Sequence, residues 1–137
     1  MAPTGRASVL TFDHQPLLVR GLASLLRDEV GVNAFVSSGR TELLAAEMAD
    51  FTPNIVVLGV TGDMAAALEV ARTALQADDK AKLVVLLDPA TDFEAVDLIR
   101  LGISSVISRD ASLDEVVLAV RQVLAGQKSL DGEMASR

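Results

Sequence analysis

Lys82-Leu-Val-Val-Leu-Leu87 and, upstream of it, Ile55-Val-Val-Leu58 are the runs on which the fold turns. Neither alternates polar with apolar residues. A strand that is apolar on both sides must be covered on both faces, as in the middle of a parallel sheet. Working outward, Ser8-Val-Leu-Thr-Phe12 and Asn33-Ala-Phe-Val36 read as strands on the amino-terminal side. Ser105-Val-Ile-Ser108 reads as a weaker one on the carboxyl-terminal side.

Helical patterns fill the intervals. Leu18, Leu22, Leu25 and Leu26 recur at helical spacing just past Pro16, where proline loses no internal hydrogen bond. Ser38 is placed to cap a helix over Arg40 to Ala49, and Met64, Leu68, Ala71 and Leu75 mark the next one. Thr91-Asp-Phe-Glu94 reads as a capping box for a helix that ends at Leu101 before Gly102. Ser112-Leu-Asp-Glu115 opens the last helix, whose stripe is Leu113, Val116, Val117, Val120, Val123 and Leu124, with a stop at Gly126. Strand and helix thus alternate as a (βα)5 chain. Right-handed crossovers make it an open, doubly wound α/β sheet with strand order 2-1-3-4-5.

Composition narrows the function. The 137 residues fit one domain, and half are hydrophobic, so the chain can bury a core without staples. There is no cysteine and only one histidine, which excludes disulfide frameworks and thiolate or histidine-rich metal sites. A net charge of −7 excludes a generally basic nucleic-acid surface, and the four aromatics, all Phe, provide no stacking platform. No apolar run reaches the ~20 residues of a membrane span, so a cytoplasmic protein is expected. Residues 127–137 are polar and read as a tail or the start of a linker.

A site in this architecture belongs at the carboxyl ends of the strands. That end holds Asp13, His14 and Gln15, then Gly59 to Asp63, Leu87 to Ala90, and Arg109-Asp110. Only Asp13, Asp63, Asp88 and Asp110 offer carboxylates there. No glycine-rich phosphate loop follows the first strand, no Gly-x-Ser-x-Gly elbow exists, and no nucleophile–base–orienter set is present. The expectation is a protein without catalysis, cofactor or metal.

The stretch Val9-Leu-Thr-Phe-Asp-His-Gln-Pro-Leu-Leu-Val-Arg-Gly-Leu22 resembles the opening of bacterial response-regulator receiver domains, above all those of LuxR/NarL-type transcription factors. Pro53-Asn-Ile-Val-Val-Leu-Gly59, Leu68-Glu69, Leu101-Gly102 and Arg109-Asp-Ala-Ser112 continue the resemblance over about residues 7 to 126. It implies a flavodoxin-like receiver over residues 1–126, with any DNA contact made by a further domain beyond Arg137. By resemblance, such domains accept a phosphoryl group from a histidine kinase on an aspartate ending strand 3. Two acids after strand 1 help hold Mg²⁺, a Thr or Ser ends strand 4, and a Lys ends strand 5. Here the first acid is Asp13, but the second position is His14, the acceptor position Gly59, the hydroxyl position Leu87 and the lysine position Arg109. Gly62-Asp63 replaces the family's Met-Pro.

These replacements have chemical consequences. Gly59 has no side chain on which an acyl phosphate could form. One remaining carboxylate is a poor start for an octahedral Mg²⁺ site. Leu87 cannot donate to a phosphoryl oxygen, and Arg109 substitutes a planar fork for a point charge. The resemblance therefore implies a degenerate receiver that works without phosphate, through dimerisation and protein contacts. A small-molecule-sensing receiver and a freestanding interaction module are the alternatives.

Among individual residues, Asp13 is read as the ion-pair partner of Arg109 rather than a relic metal ligand. His14 is read as a partly exposed loop residue. Asp63 and Asp88 are read as helix caps rather than substitute acceptors. Gly59 and Gly62 either make room for a ligand or reflect lost constraint. For the dimer, Leu98 and Leu101 of the fourth helix and Leu118 of the fifth are expected on a helix 4–strand 5–helix 5 face, with a helix 1–helix 5 face as its rival.

Overall fold

A computed structural model describes residues 6–89, 95–126 and 129–130. Strands β1 (Ser8–Phe12), β2 (Asn33–Val36), β3 (Ile55–Val60), β4 (Lys82–Leu87), β5 (Ser105–Ser108) and β6 (Ser129–Leu130) alternate with helices. The helices are α1 (Pro16–Leu25), α2 (Thr41–Phe51), α3 (Met64–Ala77), α4 (Ala95–Arg100) and α5 (Leu113–Leu124). The sheet is parallel throughout, in the order β2-β1-β3-β4-β5-β6. The expected order 2-1-3-4-5 is therefore present, with one addition. Ser129 and Leu130, expected in a polar tail, pair in parallel with Ser105 and Val106. The edge of β5 offers unpaired backbone groups, and an extended segment can satisfy them whatever its polarity.

The apolar runs behave as two-faced strands. All of β1 and β3 is buried, and β4 is buried from Leu83 onward. Successive residues point to opposite faces. Leu10, Phe12, Val56, Leu58 and Val85 join the core under α2, α3 and α4, while Val9, Val57, Val84 and Leu86 join the core under α1 and α5. Thr11, a polar residue inside β1, is fully buried and its hydroxyl donates to the carbonyl of Phe35 at 3.1 Å.

Helix details depart from the sequence pattern in ways packing explains. α1 runs on through a π-helical turn, Leu26–Val30, and stops at Gly31 with φ 78°. α2 begins at Thr41 with Arg40 at its N-cap, and the Ser38 hydroxyl accepts from the Arg40 amide instead of capping the helix. α3 buries Ala67, Val70, Ala71 and Ala74, and leaves Met64, Leu68 and Leu75 half-buried at the rim. Small residues let the helix sit close to the sheet, so the large ones flank the contact. In α5 the Ser112 hydroxyl accepts from the Glu115 amide, as the capping box requires, but Leu124 is exposed at the end of the stripe.

Leu98 corrects the expected dimer face. It is 1% exposed and lies in the core beside Leu87 and Val106. Leu101 is half-buried against the same core. Leu98 sits in the middle of the described stretch of α4, on the side that faces β4 and β5, so its side chain fills the sheet contact instead of the outer surface. The expected box Thr91–Glu94, with Phe93, lies outside the described residues, as do residues 131–137. Among the described residues, no helix is long and apolar enough to cross a membrane.

Candidate functional site

β1 ends at Phe12, which pairs with Leu58, so Asp13 emerges level with Gly59 on β3. Arg109 follows β5 and donates its amide to the carbonyl of Leu87 at 2.9 Å. Three strand intervals separate β1 from β5, roughly 14 Å at the usual spacing. Arg109 stretches back across the ends of β4 and β3 to reach Asp13. Its Nε donates to Asp13 Oδ2 at 3.0 Å and its Nη2 to Oδ1 at 2.9 Å. This is the fork-on-carboxylate arrangement that an arginine makes and a lysine cannot.

Asp13 is saturated with donors. The Gln15 amide donates to Oδ1 at 2.9 Å, and His14 Nδ1 stands 3.4 Å from the same oxygen. The Asp13 side chain is 1% exposed and that of Arg109 15%. The hydrogen bonds that Arg109 donates to Asp13 raise its pKa above the ordinary value. Burial opposes them, and the charges of Asp13, Asp88 and Asp110 add to the rise. Arg109 is therefore a permanent cation.

Gly59 explains how the carboxylate fits. A Cβ built on Gly59 would stand 1.8 Å from Asp13 Oδ2, 2.8 Å from its Cγ and 3.1 Å from its Cβ. The Asp13 carboxylate thus occupies the space into which any side chain at position 59 would project. Gly39, in the loop after β2, closes the other side. Its φ is 81°, and a Cβ there would meet the Asp13 carbonyl oxygen at 2.5 Å. Glu47 on α2 holds that loop by accepting from the Ser37 hydroxyl and the Ser38 amide. Sequence reasoning missed both Gly39 and Glu47. Ser37-Ser38-Gly39 is turn-prone in composition, but nothing in it points across the sheet to Asp13.

The other expected residues separate. Leu87 is 1% exposed, inside the core, with its backbone paired to Val60 and Ser108. Asp63 caps α3 by accepting from the Ala66 amide at 3.0 Å, and Gly62 before it has φ 104°. Asp88 is half-buried beside Arg109 and contributes to its charge environment. His14 is exposed. Next to the ion pair lies a hollow of about 300 Å³ lined by Phe12, His14, Gly59, Thr61, Glu69 and Val70 among others.

Solved structures share this architecture. A LuxR-family two-component response regulator from Aurantimonas sp. SI85-9A1 superposes with a TM-score of 0.79 at 21% identity, over 96% of this chain and 94% of that one. The isolated REC domain of RcsB from Salmonella enterica serovar Typhimurium superposes at 0.77 and 12% identity, over 96% and 98%. The fold is that of a response-regulator receiver domain. No protein-family profile matches the sequence. Among curated proteins, this chain is 26% identical over 129 residues to the response regulator GacA of Pseudomonas aeruginosa. It is 28% identical over 131 residues to that of Pseudomonas protegens. The match covers 94% of this chain, which spans about 60% of the length of those relatives.

The pocket around Asp13 does not fit Mg²⁺. Both Asp13 oxygens are bound by Arg109, the neighbouring position is His14, and Gly59 supplies no ligand. Among the described residues no group of three His, Asp or Glu side chains could hold a metal ion.

Proposed function

We propose that the chain is the receiver domain of a LuxR-type transcriptional regulator that works without phosphorylation. The observation that carries this reading is the Asp13–Arg109 pair seated over Gly59. Signalling receivers of the resembled family use a charged event at this point to draw strand 4 and strand 5 residues inward. Here a permanent internal ion pair joins the ends of β1 and β5, so the charged contact is built in. The domain is then a fixed scaffold for protein contacts and catalyses no phosphoryl transfer. DNA recognition, in this reading, belongs to a domain beyond Arg137. The test is exposure to acetyl phosphate or to beryllofluoride with Mg²⁺. The intact mass is expected to stay unchanged, and the amide spectrum to stay unperturbed. A mass gain of one phosphoryl group would overturn the reading.

Dimerisation is the second element of the proposal, on the α1–α5 layer. Burial of Leu98 removes that leucine from the helix 4–strand 5–helix 5 face. Leu17 on α1 is 86% exposed and Leu118 on α5 55%. The two helices pack side by side, with Gly21 against Leu113. Exposed leucines on one layer are more informative than scattered ones. By sedimentation the parent is expected to be a dimer and Leu118→Glu a monomer of unchanged helicity. A monomeric parent would end this part of the proposal.

A second reading is favoured by the hollow beside Gly59. It would admit a small ligand between Phe12, Val70, His14 and Glu69. Its volume lies at the low end of the ~300–1,000 Å³ of ordinary ligand sites.

A further inference from the structure

The opposite end of the strands carries a larger hollow, of about 640 Å³. Parallel topology creates it by bringing the starts of β1, β3 and β4 together, with Ile55 level with both Val9 and Lys82. Ile55 and Val123 are buried against it, and Leu124, 39% exposed, stands at its edge. Arg6, Lys80 and Lys82 line it, and all three are exposed. Among the described residues, none of these cations has a carboxylate within ion-pair distance. In a chain of net charge −7, this hollow is lined by three cations and no Asp or Glu.

We infer that this hollow binds a small amphiphilic monoanion, of the class of a medium-chain fatty carboxylate. The cations would hold the head group, and Leu124, beside the small exposed edges of Ile55 and Val123, would lie against the hydrocarbon. The volume lies within the ~300–1,000 Å³ typical of small-molecule sites. Nucleic acid is the wrong occupant, since three cations and no aromatic ring line the hollow. α5 reaches the hollow with its carboxyl end at Val123 and Leu124, and Thr52, the C-cap of α2, lines it too. These two ends, each equivalent to about −0.5 charge, offset part of the field of the three cations and leave it positive. The apolar floor then decides for a ligand with a hydrocarbon body.

Isothermal titration of the 137-residue chain with decanoate, below its micelle concentration, tests the inference. One equivalent is expected to bind saturably. The double variant Lys80→Glu/Lys82→Glu should weaken it at least tenfold, and Leu124→Ser several-fold. These positions are exposed, so both variants should keep the parent's circular dichroism. His14→Ala, at the other end of the sheet, should bind like the parent. Absence of saturable binding would end the proposal. So would equal affinity for decyltrimethylammonium, which would make the contact merely apolar. Equal affinity for inorganic phosphate would overturn it too, by removing any role for the floor. Unchanged decanoate affinity in the double variant would place the ligand elsewhere.

Discussion

Arg109→Met is expected to destabilise the domain by about 3 kcal/mol, near the low end of the range for orphaning a buried charge. The Asp13 carboxylate is 1% exposed and receives two of its hydrogen bonds from Arg109. Methionine fills similar space but leaves that charge with the Gln15 amide and His14 alone. Asp13→Asn should cost less, because the Arg109 guanidinium keeps contact with water and stands near Asp88 and Asp110. The double variant Asp13→Leu/Arg109→Met should be more stable than Arg109→Met alone, since it buries no unpaired charge. Urea unfolding followed by far-ultraviolet circular dichroism suits a chain with no Trp or Tyr. A raised guanidinium pKa means that Arg109's contribution is present below its ordinary titration and lost only above it. No pH dependence in the accessible range should therefore come from Arg109. An Arg109→Met midpoint equal to the parent's would show that the pair is not what ties β1 to β5.

The division between what could and could not be read from the sequence follows the range of the interactions. β2, β4 and β5 lie at Asn33–Val36, Lys82–Leu87 and Ser105–Ser108, where their apolar runs placed them. Those runs are local, and two-faced burial leaves a signature in composition alone. The Asp13–Arg109 contact, 96 residues apart, was legible because topology brings those strand ends together and no other charge competes as well. Leu98 was misjudged because α4 is apolar around most of its circumference, and a helical wheel with no polar face does not say which leucine meets the sheet. Ser129 and Leu130 were invisible for the opposite reason. An edge strand is recruited by the partner's free backbone groups, and side chains need not announce it. Gly39 is a third kind of miss. Its glycine is required by the Asp13 backbone across the sheet, which no nearby residue encodes.

Gly59→Ala is expected to destabilise by roughly 3 kcal/mol, at the upper end of ordinary overpacking. An added Cβ would lie 1.8 Å from Asp13 Oδ2, and something must move. The strand cannot yield easily, because Gly59 sits on β3 between the flanking ladders of β1 and β4. Asp13 cannot simply rotate away either. Its own Cβ would remain 3.1 Å from the new atom, and its oxygens are held by Arg109 and the Gln15 amide. The methyl group must therefore break the ion pair, adding the loss of a buried interaction to the clash. Gly59→Asp should be worse, since it sets a second carboxylate against the first. That variant rebuilds the acceptor in name only, and it should take up no phosphoryl group from acetyl phosphate at a rate near that of ordinary receivers. The decisive comparison is Gly59→Ala with and without Asp13→Ala. Removing the Asp13 carboxylate clears the space, so the double variant should recover part of the loss despite carrying two changes. If the two losses simply add, Asp13 and Gly59 do not share one space, and the site as described here is wrong.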